Sequence, residues 1–264
     1  MSEQFTREWQ DWKTGREQDL AHPHGWLALV SLNWLTERPT RYPDVPGLWW
    51  QDEEAAYLDP DGGELSYEDS PVAERRRFEL VNSGPGTRVV AGDLEIEIAR
   101  RSGYLIRVHD PKAPVLRAFR GVPSYPPDPA WVVHGRFEPF EQPQPTTVGA
   151  VVPGLQHVYV APGRIRFEHN GVEHALTAFN GKSGRGDFNV LFTDQTSGVT
   201  TYPANRSLAV AAPAEDGTVT LDFNRAVNLP CAFTDFATCP LPPAGNQLPY
   251  EVTAGERIPY ERES

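Results

Sequence analysis

Methionine is almost missing from this 264-residue chain, since Met1 is the only one. That excludes an adaptable methionine-lined surface. Positive charge is also short: 24 Lys and Arg against 36 Asp and Glu leave a net charge of −12. A nucleic-acid backbone or an anionic membrane would repel such a chain, and neither is expected as a partner. Long apolar runs are absent too. The longest, Trp26 to Leu32, is interrupted by Ser31 and falls far short of the ~20 residues that a membrane helix needs. The opening residues MSEQFTREWQ carry charge and no apolar stretch, so a secretory signal is not supported and the cytoplasm is the expected location. In that compartment Cys231 and Cys239, the two cysteines, are expected as thiols. They stand eight positions apart, too far for the tight cysteine pairs of zinc ribbons and fingers.

What is present points to a packed, turn-rich protein. Hydrophobic residues make up 39%, including seven Trp and twelve Phe, enough core material to exclude disorder over most of the chain. The 26 Pro and 22 Gly favour short strands and turns over long helices. Phe5, Trp9 and Trp12 recur at helical spacing, with Leu20 further on, and predict an amphipathic helix broken by His22-Pro23-His24-Gly25. Trp26 to Leu35 is apolar on nearly every side and reads as a short buried helix, with a buried strand as the alternative. Together these make a helical cap over 1–36. Arg38 to Asp69 is rich in Pro, Asp and Gly, with Leu48-Trp49-Trp50 as an apolar anchor.

Strand patterns dominate from Glu74. LEIEIAR alternates with Leu94, Ile96 and Ile98 on one face, and YLIRVHD alternates again after Arg101-Ser102-Gly103. A Pro-rich connection (Pro123 to Pro129) leads to WVVHGRFEPF. GRIRFEH and VEHALTAF flank Asn170-Gly171, which accepts the positive φ angles of a type I′ hairpin turn. DFNVLFTD, VTTYP and TVTLDF follow as strands. The consecutive Arg75, Arg76 and Arg77 read as a solvated strand edge or turn. Strands do not alternate with long helices, which disfavours a doubly wound fold. The expected fold is mainly β: one domain over 1–264, a sandwich or barrel of antiparallel strands over 74–222, and an irregular Pro/Cys-rich segment over 223–250.

That last segment resembles a known family. The succession Phe192-Thr193-Asp194, Thr196-Ser197-Gly198, Thr201-Tyr202, Arg206, Leu221 to Ala226, Asn228, Pro230 to Phe233, Cys239 to Pro243, Asn246 and Ala254-Gly255-Glu256 resembles a prokaryotic family called domain of unknown function 1684. WLALVSLNWL, Arg107 to Asp110, Phe119, Gly121 and Trp131 are similar to it as well. The resemblance implies a shared site around the C-terminal motif and assigns it no activity or cofactor. The chain departs from the family pattern at Val227 and Leu229 (Tyr and Pro), at Ser207 (an aromatic) and at Gly245 (a Glu before the Asn).

Several motifs fail on chemistry. Gly181-Lys182-Ser183 imitates a phosphate-binding loop, but the earlier glycine is replaced by Leu176 and a strand precedes the motif. Ser183 is no nucleophile elbow, because Arg185 occupies the second glycine position. Ser197 reads as a turn residue. A prolyl residue between His22 and His24, without a neighbouring carboxylate, points to an exposed helix-breaking turn in place of a metal site.

The chemistry that remains is distributed. Asp222 and Asn224 lie two apart with Phe223 between them; Tyr202 and Arg206 sit one hairpin earlier; Arg107 and His109 share a strand face. Brought together, these groups would surround a pocket for a small polar or anionic molecule. Asp222 or His109 would act as acid and base, Arg206 and Lys182 would bind a carboxylate or phosphate, and Cys231 would line the site. Arg107, Tyr202, Asn224 and Asn228 complete the candidate ligand set. No metal is expected, and cofactor and oligomeric state stay open. Two alternatives stand beside this cofactor-independent enzyme. One is a non-catalytic small-ligand binder. The other is a structural module in which an Asp–Arg pair and Asn side chains satisfy loop backbone groups.

Overall fold

The structure is a computed structural model and describes residues 2–181 and 183–262. Strands are its main element, joined in antiparallel sheets, and one long helix, α1 (Glu3–Leu20), opens the chain. Two compact units are present where the sequence suggests a single domain. An N-terminal unit holds Gln18–Phe119 and the short segment Thr234–Ala237; a C-terminal unit holds Arg120–Phe233, the chain from Thr238 onward and the helix through Glu17. Each buries its own apolar cluster, which is why one chain makes two units.

In the N-terminal unit, Trp26–Ala28 forms one 3₁₀ turn and Leu29–Trp34 forms β1. The buried helix expected over Trp26 to Leu35 is therefore corrected to its alternative, a strand, and the helical cap ends at Leu20 rather than 36. Strands also begin well before 74. They are β2 (Thr40–Tyr42), β3 (Val45–Gln51), β4 (Ala56–Asp59), β5 (Ser66–Tyr67), β6 (Ser70–Pro71), β7 (Arg76–Phe78), β8 (Thr87–Ala91), β9 (Leu94–Arg100) and β10 (Tyr104–His109). A six-stranded sheet, β1-β10-β9-β8-β5-β6, faces a four-stranded one, β2-β3-β4-β7. Trp49 and Leu58 from the smaller sheet meet Val89, Ile96, Ile98 and Ile106 from the larger in one dry layer, a two-sheet sandwich. Ile96 and Ile98 lie on the face that their alternation predicts. Arg76 and Arg77 lie on β7, an edge strand, as the basic run suggests.

In the C-terminal unit the strands are β11 (Val132–Gly149), β12 (Gln156–His169), β13 (Val172–Asn180), β14 (Phe188–Phe192), β15 (Arg206–Val210), β16 (Thr218–Asp222) and β17 (Val227–Asn228). They form one sheet in the order β16-β11-β12-β13-β14-β15-β17. The sheet curls until β15 approaches β16, without a hydrogen-bonded closure into a barrel. Asn170 and Gly171, at φ 52° and 75°, make the predicted turn, with His169 opposite Val172. VTTYP is a knot of turns around the isolated bridge Ser197–Thr201 rather than a strand; the strand in that region is Arg206–Val210. The concave face carries Ile165, Leu176, Val190, Phe192, Leu208 and Leu221, closed over by Phe223, Leu248, Val252 and Ala254 from the irregular C-terminal segment. No described helix is long and apolar enough to cross a membrane.

Candidate functional site

Irregular backbone lacks ladder partners, so the segment after β16 must find them in side chains. The centre of that system is Arg206, 1% exposed at the start of β15. Its partner is Asp194, not Asp222: Nη2 donates to Asp194 Oδ2 at 2.7 Å and to the Val252 carbonyl at 3.0 Å. Nη1 donates to the carbonyl of Ala254, and the guanidinium lies 5.2 Å from the Phe192 ring centre. Asp194 Oδ1 accepts from the amide and hydroxyl of Thr196 and from the Val252 amide. Burial pulls Arg206 below the usual guanidinium value, and the charge of Asp194 opposes that pull. Its two Nη groups donate to protein acceptors while the buried Nε has no partner, and the Nη bonds order the Val252–Glu256 segment.

Glu256 extends the network outward. It accepts from the Asn228 amide at 2.6 Å and from Arg16 Nε of α1 at 3.0 Å. Asn228 sits opposite Arg206 in the β15–β17 register and donates its own amide to the Arg257 carbonyl. Trp9 Nε1 donates to the Asn224 carbonyl, and Lys13 Nζ to that of Val122, so α1 is fixed by polar anchors. Asn246 is fully buried and bridges Thr177 of β13 to Leu191 of β14 through three side-chain hydrogen bonds. Asp194, Asn246 and Glu256 occur in the family-like succession. Nothing in their local pattern marks them as the residues on which the network turns.

Asp222 closes β16 and caps the 3₁₀ turn Phe223–Arg225. Its Oδ1 accepts from the amide and side chain of Asn224, and Oδ2 faces Arg225 at 3.1 Å. Asn224 then clamps a second segment: Oδ1 accepts from the Asp128 amide at 2.8 Å and Nδ2 donates to the Asp128 carbonyl at 2.9 Å. This two-point pairing imitates a strand partner and fixes the Pro-rich connection before β11. Tyr125 is held by its amide on the Gly255 carbonyl and by its hydroxyl against Thr200.

The connection so fixed lines an open groove of about 530 Å³, formed by Tyr125, Pro126, Pro127, Asp128, Pro129, Trp131 and Thr253. Trp131 continues into a stack, 5.2 Å from the His169 ring, which lies 4.4 Å from Tyr250. Burial pushes the Tyr250 phenol up to about 12. Among the described residues, Asp128 is the one charged side chain lining the groove. Arg206 is not among its lining residues. Arg206 is sealed beneath the sheet, and Lys182 lies outside the described residues. Tyr202 is half-buried in the turns before β15.

Arg107 and His109 belong to the N-terminal unit and are engaged within it. Arg107 grips Glu97 with Nε and Nη2 at 2.9 and 2.7 Å, beneath the ring of Trp26. His109 faces the Gly25 carbonyl with Nδ1 and Glu97 with Nε2. Burial alone would raise Glu97, but the His109 hydrogen bond and the Arg107 charge outweigh it and hold the carboxyl at about 2. Within its own unit, each of the predicted residues has a neighbour to engage it: Glu97 holds Arg107 and His109, Asp194 holds Arg206, and Asp222 holds Asn224 and Arg225. Cys231 and Cys239 are both buried, as thiols.

Residues 117–257 match the family described as Protein of unknown function (DUF1684). No curated protein matches the chain. Among solved structures, it is similar to the solution NMR structure of an uncharacterised protein from Haloarcula marismortui, with 31% identity. That similarity covers 57% of this chain and 83% of the other, at a TM-score of 0.47.

Proposed function

The chain belongs to the family of proteins of unknown function DUF1684, and we propose that its C-terminal unit binds a small, ring-bearing, uncharged or cationic molecule in the groove between Tyr125 and Trp131. The observation that carries this reading is the Asn224 clamp on both backbone groups of Asp128. The motif residues are spent on holding one irregular segment open beside two aromatic rings. The family match takes in every lining residue and the clamp itself. Aromatic faces and prolines favour stacking, and a lone carboxylate favours a cation over an anion. On this reading Asp222, Asn224, Asn228 and Arg206 shape the site without touching the ligand, and binding rather than turnover is the activity.

A fragment screen by amide chemical-shift perturbation on the full chain tests it. Bound fragments are expected to move Tyr125, Asp128, Trp131 and Thr253. Thr253→Trp, at an exposed position, is expected to fill the groove and abolish those shifts. Fragments that gather elsewhere, or bind Thr253→Trp equally well, refute the reading.

A further inference from the structure

The two thiols of the irregular segment form a second, independent feature. Cys231 lies in the 3₁₀ turn Pro230–Ala232, and Cys239 precedes the bridge between Ala150 and Pro240. Both are buried, at 4% and 6% exposure. The Cys231 amide donates to Cys239 Sγ at 3.3 Å, and the two thiols are hydrogen-bonded to each other. Seven residues, 232–238, separate them in the chain.

We propose that Cys231 and Cys239 are a reversible dithiol–disulfide pair that closes the chain between them into a ring when a low-molecular-weight disulfide is available as oxidant. The asymmetry of the site sets the order of events. Cys239 Sγ receives both the amide and the thiol of Cys231, and donors aimed at a sulfur stabilise its thiolate. Cys231, as the thiol donor and a buried group, is pushed up and keeps its proton. Cys239 is accordingly the attacking sulfur. Its thiolate displaces one half of the small disulfide, which leaves as a thiolate and takes up a proton, giving a mixed disulfide at Cys239. Cys231 then loses its proton to solvent and attacks Cys239 Sγ, releasing the second half as a thiol. The chain has lost two electrons and two protons, and the oxidant has become two thiols. The amide–sulfur contact is what brings the two cysteines together in the fold.

The test treats the folded full chain with excess oxidised glutathione, alkylates the remaining thiols, and maps peptides by mass. The wild type is expected to carry an internal Cys231–Cys239 bond that dithiothreitol reverses. In Cys231→Ser a glutathione adduct is expected to accumulate on Cys239, with no second thiol to resolve it. In Cys239→Ser the lone Cys231 is expected to remain alkylable only after unfolding. Amides between the cysteines are expected to exchange more slowly in the oxidised chain. The proposal is overturned if the folded wild type keeps both thiols under conditions that oxidise the denatured chain. It is equally overturned if the wild type accumulates stable glutathione adducts in place of the internal bond, or if the adduct forms on Cys231 rather than Cys239.

Discussion

Replacing Asn246 by alanine removes one small side chain and three hydrogen bonds at the point where β13 and β14 splay apart. The two strands pair directly at Phe179–Asn189 and Asn180–Phe188. Two residues earlier, the Asn246 carboxamide stands between them. It accepts from the Thr177 amide at 2.8 Å and donates to the carbonyls of Thr177 and Leu191 at 2.9 and 2.8 Å. In Asn246→Ala one amide and two carbonyls lose their partners in a site that is 0% exposed. An unsatisfied buried group costs about 1–3 kcal/mol, and carbonyls with a second lone pair sit at the low end. The expected loss is therefore about 3–5 kcal/mol, a large share of the ~5–15 kcal/mol that holds a typical domain together. With two compact units in the chain, the assay must report on the C-terminal one. Urea titration followed through resolved amide signals of β13 and β14 does so. Asn246→Asp keeps the acceptor for Thr177 but sets a charge against two carbonyls, and it is expected to be at least as damaging. A loss below about 1 kcal/mol in Asn246→Ala would show that water replaces the carboxamide and would refute the strand-bridging account.

Three further outcomes follow from the same networks. The carboxyl of Glu97 is depressed to about 2 from an ordinary 4.5, so the stability it lends is complete above pH 4.5 and is lost as pH falls toward 2. It amounts to about 3 kcal/mol, and Glu97→Gln should flatten the acid limb of N-terminal-unit stability by that amount in urea titrations at stepped pH. Arg206→Met strands the Asp194 carboxylate in the core and should cost about 3–5 kcal/mol, whereas the double change with Asp194→Leu should recover much of the loss in a denaturation double-mutant cycle. Gly255 has φ 78°, and a side-chain carbon there would meet the carbonyls of Ala226 and Phe223 at 2.6 and 2.8 Å, so Gly255→Ala should lower stability by about 2 kcal/mol or more, read by the same titration.

The parts of this molecule legible in its sequence are those governed by neighbours in the chain. The alternation of LEIEIAR, the Asn170-Gly171 turn and the amphipathic opening helix each depend on local periodicity or local φ preference, and the structure carries all three. Trp26 to Leu35 was ambiguous for the reason that short apolar runs always are: burial on both faces erases the period that separates helix from strand. Arg38 to Asp69 hid four strands among Pro, Asp and Gly, three of them only two to four residues long and too brief to show a pattern. The choice of partner was less accessible still. An Asp–Arg pair with Asn side chains supporting loop backbone was foreseeable from composition. Asp194 as the aspartate, rather than Asp222, was not, since the two lie on opposite sides of Arg206 in the chain.

By itself the sequence determined the mainly β character, the family and the location of an irregular C-terminal segment dense in polar side chains. Hydrophobic period and turn chemistry act within a few residues and are written directly into the order of the chain. Only the tertiary structure decided that there are two units, and that Arg107 and His109 serve one while Arg206 and Asp222 serve the other. It also decided that the motif is consumed in satisfying backbone groups beside an open groove. Those outcomes depend on which buried donor meets which acceptor across fifty or a hundred residues of sequence, and hydrogen-bond satisfaction at that range is settled only when the chain has closed on itself.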